Sequence, residues 1–221
     1  FGLVPSLVVA APDAKVGRKQ ILTAPHTKVW ATERNIPVFQ PTTLKNKEEL
    51  TPLTNEDWDI FVVFAYGKIM PEWLLNLPKY GTINAHPSLL PKLRGASPIR
   101  STLLNDLTAA GVTIIQMDAK LDHGSILFQQ AVSLPEPIAG AELDKTLSLI
   151  CGDLLAHVIQ ELPKGDIIPT PQNESSATFC TKITKDMAEI TLDPYRLPKG
   201  EEAFLLYRKI CAFDAWPEAF F

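Results

Sequence analysis

Cysteine is scarce in this sequence, and its three copies form no recognisable framework. Cys151, Cys180 and Cys211 lie about thirty residues apart, and no CxxC pair is present. Disulfide-rich secreted domains and zinc-binding ribbons need paired, closely spaced cysteines, so both classes are excluded. We therefore expect the protein to work in a reducing cytoplasm and to hold no metal.

Long apolar segments are missing as well. The longest run covers residues 60–66, far short of the roughly 20 residues that cross a bilayer. No series of charged, apolar and small residues resembles a signal peptide, so we expect no membrane attachment. No G-x-G-x-x-G opens a helix after a strand, which argues against a dinucleotide-dependent oxidoreductase.

An excess of positive charge is also lacking. Among 221 residues, 21 Lys and Arg face 25 Asp and Glu, a formal net charge of −4. A protein that coats nucleic acid with its whole surface would be basic, so any site for a polyanion must be local. One basic run is present, with Lys15, Arg18, Lys19 and Lys28 inside residues 14–32 and no acidic residue there. It is either a solvated loop or a local phosphate site.

The sequence does contain an alternation of strand and helix patterns, and 46% of its residues are hydrophobic, enough for a sizeable core. Strands are predicted at 6–11, 59–65, 82–86, 112–117 and 126–132, and helices at 27–35, 71–77, 96–105 and 140–161. This rhythm is typical of an α/β fold with a Rossmann-like, mainly parallel sheet flanked by helices. Prolines and glycines at 162–173 and 193–200 predict linkers. We therefore expect a main domain over residues 1–190, then a linker and the start of another domain over 191–221.

The stretch richest in chemistry is residues 81–98, GTINAHPSLLPKLRGASP. Asn84 and His86 lie two apart at the end of a predicted strand, so their side chains point to the same side. An amide donor and a titratable imidazole then meet at the carboxyl end of that strand, where doubly wound sheets bind ligands. Taken alone, the pair also fits a structural role, with both side chains bonded to the following turn.

The whole stretch resembles the signature of the 10-formyltetrahydrofolate-dependent formyltransferases, N-x-H-x-S-L-L-P-x-x-R-G-x-x-P, with every fixed position present. Residues 64–71 (FAYGKIMP) and 116–124 (QMDAKLDHG) resemble further family motifs, and a weaker likeness covers 12–41 and 212–217. Together these likenesses extend over nearly the whole chain. The resemblance implies the family's fold and the transfer of a formyl group from 10-formyltetrahydrofolate to an amine.

By this resemblance Asn84, His86 and Asp122 take the places of the family's catalytic trio. Formyl transfer passes through a tetrahedral oxyanion, which an amide donor and a protonated imidazole stabilise. A carboxylate beside the imidazole is expected to raise its pKa and orient it, and Asp122 is a candidate to help remove the proton of the incoming amine. Without the resemblance, Asp122 fits a turn residue. Asp118 and His123 are rivals for the acidic and imidazole roles.

The resemblance also implies folate contacts in two segments. They are Ser88, Leu89, Leu90 and Pro91 in one segment, and Tyr66, Gly67 and Met70 in the other. Ordinary core packing is the competing interpretation of Tyr66 and Met70. A cis peptide bond between Leu90 and Pro91 is expected, because such bonds persist in tight turns beside sites and the family shares this one.

Within the family, the basic run favours tRNA as the acceptor. The formyltransferases that act on methionyl-tRNA carry a basic loop at this place, so Lys15, Arg18, Lys19 and Lys28 are implied contacts of the initiator methionyl-tRNA. Arg94 either approaches the acceptor or caps the helix that follows it.

Several alternatives to that acceptor stay open. An amino-sugar nucleotide or glycinamide ribonucleotide is another acceptor, and the hydrolase domain of a formyltetrahydrofolate dehydrogenase is a related activity. A binding protein that keeps the fold without activity is a third possibility. The resemblance further implies a chain truncated at both ends, lacking the family's first strand, and we expect a monomer.

Overall fold

The computed structural model describes residues 2–105, 107–134, 138–193 and 195–221. The chain divides into two compact units, residues 1–82 and 83–221. Residues 191–221 belong to the second unit; the predicted domain boundary near residue 190 stays a prediction. Residue 194, inside the predicted linker at 193–200, lies outside the described residues. No helix in the described ranges is long and apolar enough to cross a membrane.

The first unit is built from short elements. They are the strands β1 (Val8–Val9), β2 (Ala14–Val16), β3 (Ile21–Thr23), β4 (Val38–Phe39) and β5 (Phe61–Val63) and the helices α1 (His26–Thr32), α2 (Thr51–Thr54) and α3 (Glu72–Leu75). Strand β1 runs parallel to β4. Strands β2 and β3 form an exposed antiparallel hairpin that the sequence patterns did not predict. The core of the unit is a cluster of the buried side chains Leu44, Leu50, Leu53 and Leu74.

The second unit contains the longest helix and strands. Its elements are the strands β6 (Thr82–His86), β7 (Arg94–Gly95), β8 (Gly111–Gln116), β9 (Ile126–Ala131) and β10 (Phe179–Cys180) and the helices α4 (Pro98–Asn105), α5 (Gly140–Glu161) and α6 (Gly200–Ala212). Strand β8 lies between β6 and β9, and helix α5 packs on β8. Helix α5 buries Leu143, Leu147, Leu154 and Val158, whose spacings of four and seven residues place them on one face of the helix.

The α/β class predicted from the sequence is confirmed, and parallel pairs occur at β1 with β4 and at β7 with β10. Strand directions in the second unit differ from the expected parallel arrangement, because β8 is antiparallel to both β6 and β9. Parallel neighbours need a crossover of about a dozen residues or more. The loop of residues 117–125 between β8 and β9 is shorter than that, so these two strands pair antiparallel.

Candidate active site

Strand β6 places the first two predicted catalytic residues. Asn84 pairs with Ile115 and His86 with Thr113 across the ladder to β8, so the period of two puts both side chains on one face, as predicted. His86 is 4% exposed. Among the described residues, the side-chain amide of Asn84 has no hydrogen-bonding partner, which leaves its N–H groups available as donors.

A sharp loop carries Asp122 to His86. Asp122 has a φ of 46°, a left-handed conformation that costs free energy in residues other than glycine. Its Oδ2 accepts a hydrogen bond of 2.8 Å from the backbone N–H of Gly95 and lies 3.7 Å from Nδ1 of His86. Gly124 is required nearby, because a Cβ there would overlap the carbonyl oxygen of Gln116. The structure thus brings Asp122 and His86 together, with the Asp122 side chain only 13% exposed.

Hydrogen bonding determines the tautomer of His86. Its Nε2 lies 2.9 Å from the carbonyl oxygen of Leu93. That oxygen only accepts, so Nε2 carries the proton of the neutral ring and Nδ1 bears the lone pair that faces Asp122. The separation of 3.7 Å is too long for a direct hydrogen bond, and the interaction between the two side chains is electrostatic.

Burial dominates the electrostatics of His86. It lowers the pKa of the imidazole below its ordinary value of 6.5, whereas the carboxylate of Asp122 and the hydrogen bond to Leu93 raise it. The expectation that Asp122 raises the pKa of His86 is confirmed, but the carboxylate is not the largest influence on that pKa. Desolvation outweighs the carboxylate in this nearly inaccessible position, so His86 is neutral near pH 7.

Hydrogen bonds within the protein fix the predicted folate segment at Ser88 to Pro91. The hydroxyl of Ser88 donates to the carbonyl oxygen of Lys92, and the hydroxyl of Thr113 donates to the carbonyl oxygen of Ser88 and accepts from the N–H of Leu90. The peptide bond between Leu90 and Pro91 is cis, as predicted. Because Ser88 and Leu90 use their polar groups internally, the partly exposed Leu89 and Pro91 are the better placed to meet a ligand, and folate contact by the segment stays a prediction.

The other predicted folate residues lie in the first unit. Tyr66 and Met70 pack against its leucine cluster, as their competing interpretation held. The hydroxyl oxygen of Tyr66 is nevertheless buried without a hydrogen-bond partner among the described residues, and burial raises the pKa of this phenol. Gly67 is exposed, with a φ of 73°. Core packing and ligand contact both fit Tyr66, and contact with folate stays a prediction for all three.

Arg94 is buried instead of lying free for an acceptor. It is 2% exposed, and its guanidinium donates to both carboxylate oxygens of Glu174, at 2.6 and 3.0 Å. The same group donates to Oε1 of Gln172 at 2.8 and 3.0 Å. Acceptor binding by Arg94 stays a prediction, and Gln172 and Glu174 are neighbours that sequence reasoning missed. Gln172 lies inside the proline-rich stretch at 162–173 that predicts a linker and Glu174 directly follows it, and no periodic pattern marks either residue.

Asp118 and His123 form a separate pair. Nδ1 of His123 lies 2.5 Å from Oδ2 of Asp118, and its Nε2 lies 3.5 Å from Oε1 of Glu174. The ring of His123 is therefore engaged with the carboxylates of Asp118 and Glu174. This arrangement favours His86 over His123 for the imidazole role.

Three of the four basic residues predicted to contact an acceptor lie on the exposed hairpin. Lys15 is in β2, Arg18 and Lys19 are in the turn between β2 and β3, and no acidic partner of their side chains is found among the described residues. Lys28 differs, because its Nζ lies 2.9 Å from both carboxylate oxygens of Asp13. The expectation that Lys28 has no acidic neighbour is wrong. Asp13 precedes the run in sequence, and the fold brings it back against α1.

Potential metal ligands are not grouped within the described ranges. No group of three or more His, Cys, Asp or Glu side chains there could hold a metal ion.

A hollow against α6 is lined by apolar residues such as Leu103 and Phe204 and includes none of the predicted site residues.

Comparison with known proteins identifies the family. A family model described as Formyl transferase matches residues 4–145, a range that contains Asn84, His86 and Asp122 but not Gln172 or Glu174. The methionyl-tRNA formyltransferase of Caldicellulosiruptor saccharolyticus is 38% identical over 215 residues, which cover 97% of this chain and 66% of that protein. That of Halalkalibacterium halodurans is 38% identical over 219 residues, covering 99% and 67%. The chain thus spans about two thirds of the length of these relatives.

A solved structure supplies the fold comparison. The N-formyltransferase of Helicobacter canadensis has a TM-score of 0.68 and 17% sequence identity, over 95% of this chain and 81% of that chain. At this identity the likeness is one of fold. Together with the family match over residues 4–145 and the two relatives above, it leads to one conclusion: the chain belongs to the formyl transferase family.

Proposed function

We propose that this chain transfers a formyl group from 10-formyltetrahydrofolate to the amino group of initiator methionyl-tRNA, with Asn84, His86 and Asp122 as catalytic residues. The observation that carries the proposal is the facing pair of His86 and Asp122, with His86 on the same strand face as Asn84, whose side-chain amide has no partner in the described part of the chain. This is the set of groups that acyl transfer to an amine requires: a donor for an oxyanion and acceptors for a proton.

The chemistry follows from these groups. The amine nitrogen of the acceptor forms a bond to the formyl carbon, and the carbonyl electron pair moves to oxygen. The side-chain N–H of Asn84 donates to this oxyanion. The proton lost by the amine passes to Nδ1 of His86 or to Asp122. It is then delivered to the folate nitrogen as the bond between that nitrogen and the formyl carbon breaks.

The neutral state of His86 suits this cycle. Burial keeps the pKa of the ring below its ordinary value, so Nδ1 is free to accept a proton near pH 7. Once protonated, the ring lies against the carboxylate of Asp122, which stabilises the cation. His86 and Asp122 thus hold the proton that the amine loses until it is delivered to the folate nitrogen.

The identity of the formyl donor and the identity of the acceptor are supported by different observations. The Helicobacter canadensis enzyme is described in complex with folinic acid, which supports a folate as the formyl donor. Relatives at 38% identity are named for methionyl-tRNA, whereas the sugar acceptor of the Helicobacter enzyme belongs to a protein similar in fold alone. We therefore favour methionyl-tRNA, and with it a cytoplasmic enzyme of translation initiation.

A direct assay tests the proposal. The full-length protein is incubated with 10-formyltetrahydrofolate and, in separate reactions, with Met-tRNA, glycinamide ribonucleotide and an amino-sugar nucleotide. We expect formylation of Met-tRNA alone. Formylation of the sugar nucleotide or of the ribonucleotide would replace the acceptor, and formate release without an acceptor would indicate a hydrolase.

A further inference from the structure

The side chain of Gln172 holds the loop that carries Asp122 through hydrogen bonds to its backbone. Nε2 of Gln172 donates to the carbonyl oxygens of Asp122 and Gly124, at 2.9 and 2.8 Å. Both carbonyls lie on the C-terminal side of the left-handed residue Asp122. A single amide group therefore binds two carbonyls of the segment that directly follows a backbone conformation that is unfavourable on its own.

Arg94 fixes the direction in which Gln172 points. Its guanidinium donates to Oε1 of Gln172 through two nitrogens. Because a guanidinium only donates, the oxygen of the Gln172 amide must face Arg94 and the NH₂ group must face the loop. The buried Arg94 is itself held by two charge-assisted hydrogen bonds to Glu174, whose side chain is 58% exposed.

The same segment also positions His86. The hydroxyl of Thr178 accepts from the N–H of Leu93, at 2.9 Å, and the carbonyl of Leu93 holds Nε2 of His86. Strand β10 then pairs with β7, whose Gly95 donates to the Asp122 carboxylate. Residues 172–180 therefore support the backbone groups that hold His86 and Asp122. They nevertheless fall outside the range that matches the family model.

We propose that Gln172 is a positioning residue for formyl transfer, which, with Arg94 as its anchor, holds the Asp122 loop so that the carboxylate stays against His86. This role rests on the proposed function, since it assigns a support to the same catalytic pair. Gln172 acts through the backbone of Asp122 and Gly124, and it contributes no group to the substrate.

The main test replaces Gln172 by methionine, which keeps the length of the side chain and removes all four hydrogen bonds. Gln130→Met is the matched control, because Gln130 is exposed on β9 and its side chain has no partner among the described residues. We expect kcat of Gln172→Met to fall about 10-fold to 100-fold, as for a misplaced catalytic group, with KM for the formyl donor and for Met-tRNA nearly unchanged. Gln130→Met should retain the parent kcat.

A second readout does not depend on turnover. The pKa of His86 is measured by NMR titration, with its resonance identified by its loss in His86→Gln. Because the Asp122 carboxylate raises the pKa of His86, we expect that pKa to fall further in Gln172→Met and to stay at the parent value in Gln130→Met. A residue that only supports the fold would lower the unfolding free energy without moving this pKa.

The outcomes separate the positioning role from the proposed function. An unchanged kcat and an unchanged pKa of His86 in folded Gln172→Met would overturn the role of Gln172. A raised KM for Met-tRNA with full kcat would also overturn it and favour acceptor binding by this cluster. If the parent protein formylates no acceptor, the proposed function fails while the NMR titration still tests the support of Asp122. Should Gln172→Met not fold, Gln172→Glu keeps a partner for Arg94 and removes only the two donors to the loop, and the same loss of kcat is expected.

Discussion

Nδ1 of His86 faces Oδ2 of Asp122 at 3.7 Å, although the two residues come from different elements of the second unit. Each is fixed by the backbone of the same short segment, since Leu93 holds the imidazole and Gly95 holds the carboxylate. These backbone groups lie only two residues apart. The relative position of the pair is therefore set before any substrate binds, as catalysis by preorganised groups requires.

The first prediction concerns the oxyanion donor and its neighbour. Asn84→Ala and His86→Ala should each lower turnover about 10²-fold or more, because each removes a group that acts at the oxyanion or on the proton. Binding of the folate, measured at equilibrium, should change far less. Asn76→Ala, on an exposed side chain at the end of α3, is the matched control. Near-normal turnover in a folded Asn84 or His86 variant would contradict the assignment.

The second prediction concerns the pH dependence of stability. Burial lowers the pKa of His86 in the folded protein below the ordinary value of 6.5, so the folded state binds this proton less readily than the unfolded chain. The stabilising contribution is complete above pH 6.5 and is lost as the pH falls from there through the folded pKa, by at most about 1.4 kcal/mol per pH unit. Urea unfolding between about pH 7.5 and about pH 5.5 measures the loss.

Two variants isolate the contribution of His86 to that profile. His86→Gln should flatten the fall in unfolding free energy, because no buried imidazole then remains to be protonated at this position. His26→Gln changes an exposed histidine at the start of α1 and should keep the parent profile. Parallel profiles for His86→Gln and the parent would show that the burial of His86 does not govern stability in this range.

Long periodic patterns were the most predictable part of the fold. The bounds of α5 and β6 agree with the sequence prediction because apolar spacing runs through each element. Asn84 and His86 were recognisable for the same reason, as a pair spaced two apart in a strand. The hairpin of β2 and β3 was not, since its exposed strands lack the alternation of a half-buried sheet.

The supports of the site were beyond sequence patterns. Strands β7 and β10 have two residues each, too few to show a period. Gln172 meets Arg94 across a separation of 78 residues, and only the folded backbone brings them together. Likewise, the ion pair that removes Lys28 from the basic surface depends on Asp13, 15 residues earlier in the chain.

The third prediction contrasts two glycines. Gly124→Ala would place a Cβ against the carbonyl oxygen of Gln116 and force the Asp122 loop to shift. We expect a loss of about 1–3 kcal/mol in unfolding free energy, as for other overpacked sites, and a drop in turnover. In α5, Gly152 has nothing within 4 Å of an added Cβ, so Gly152→Ala should raise stability by about 0.5–1 kcal/mol and leave turnover unchanged. Equal stabilities for the two variants in urea unfolding would refute this contrast.

The last prediction concerns the exposed hairpin and the acceptor. Lys15, Arg18 and Lys19 lack acidic partners in the described part of the chain, whereas Lys28 is neutralised by Asp13. Replacing the first three by Gln should weaken Met-tRNA binding and lower the slope of log affinity against log salt by about one unit per lost phosphate contact. Folate affinity should not change, because a small donor does not need these charges.

Lys28→Gln is the matched control for the hairpin variant, since it removes a positive charge that is already paired. A salt titration of Met-tRNA affinity should give Lys28→Gln a slope close to that of the parent and the triple variant a clearly smaller one. Equal slopes for the parent and the triple variant would mean that the hairpin is only a solvated loop. The preference for tRNA would then depend on the relatives alone.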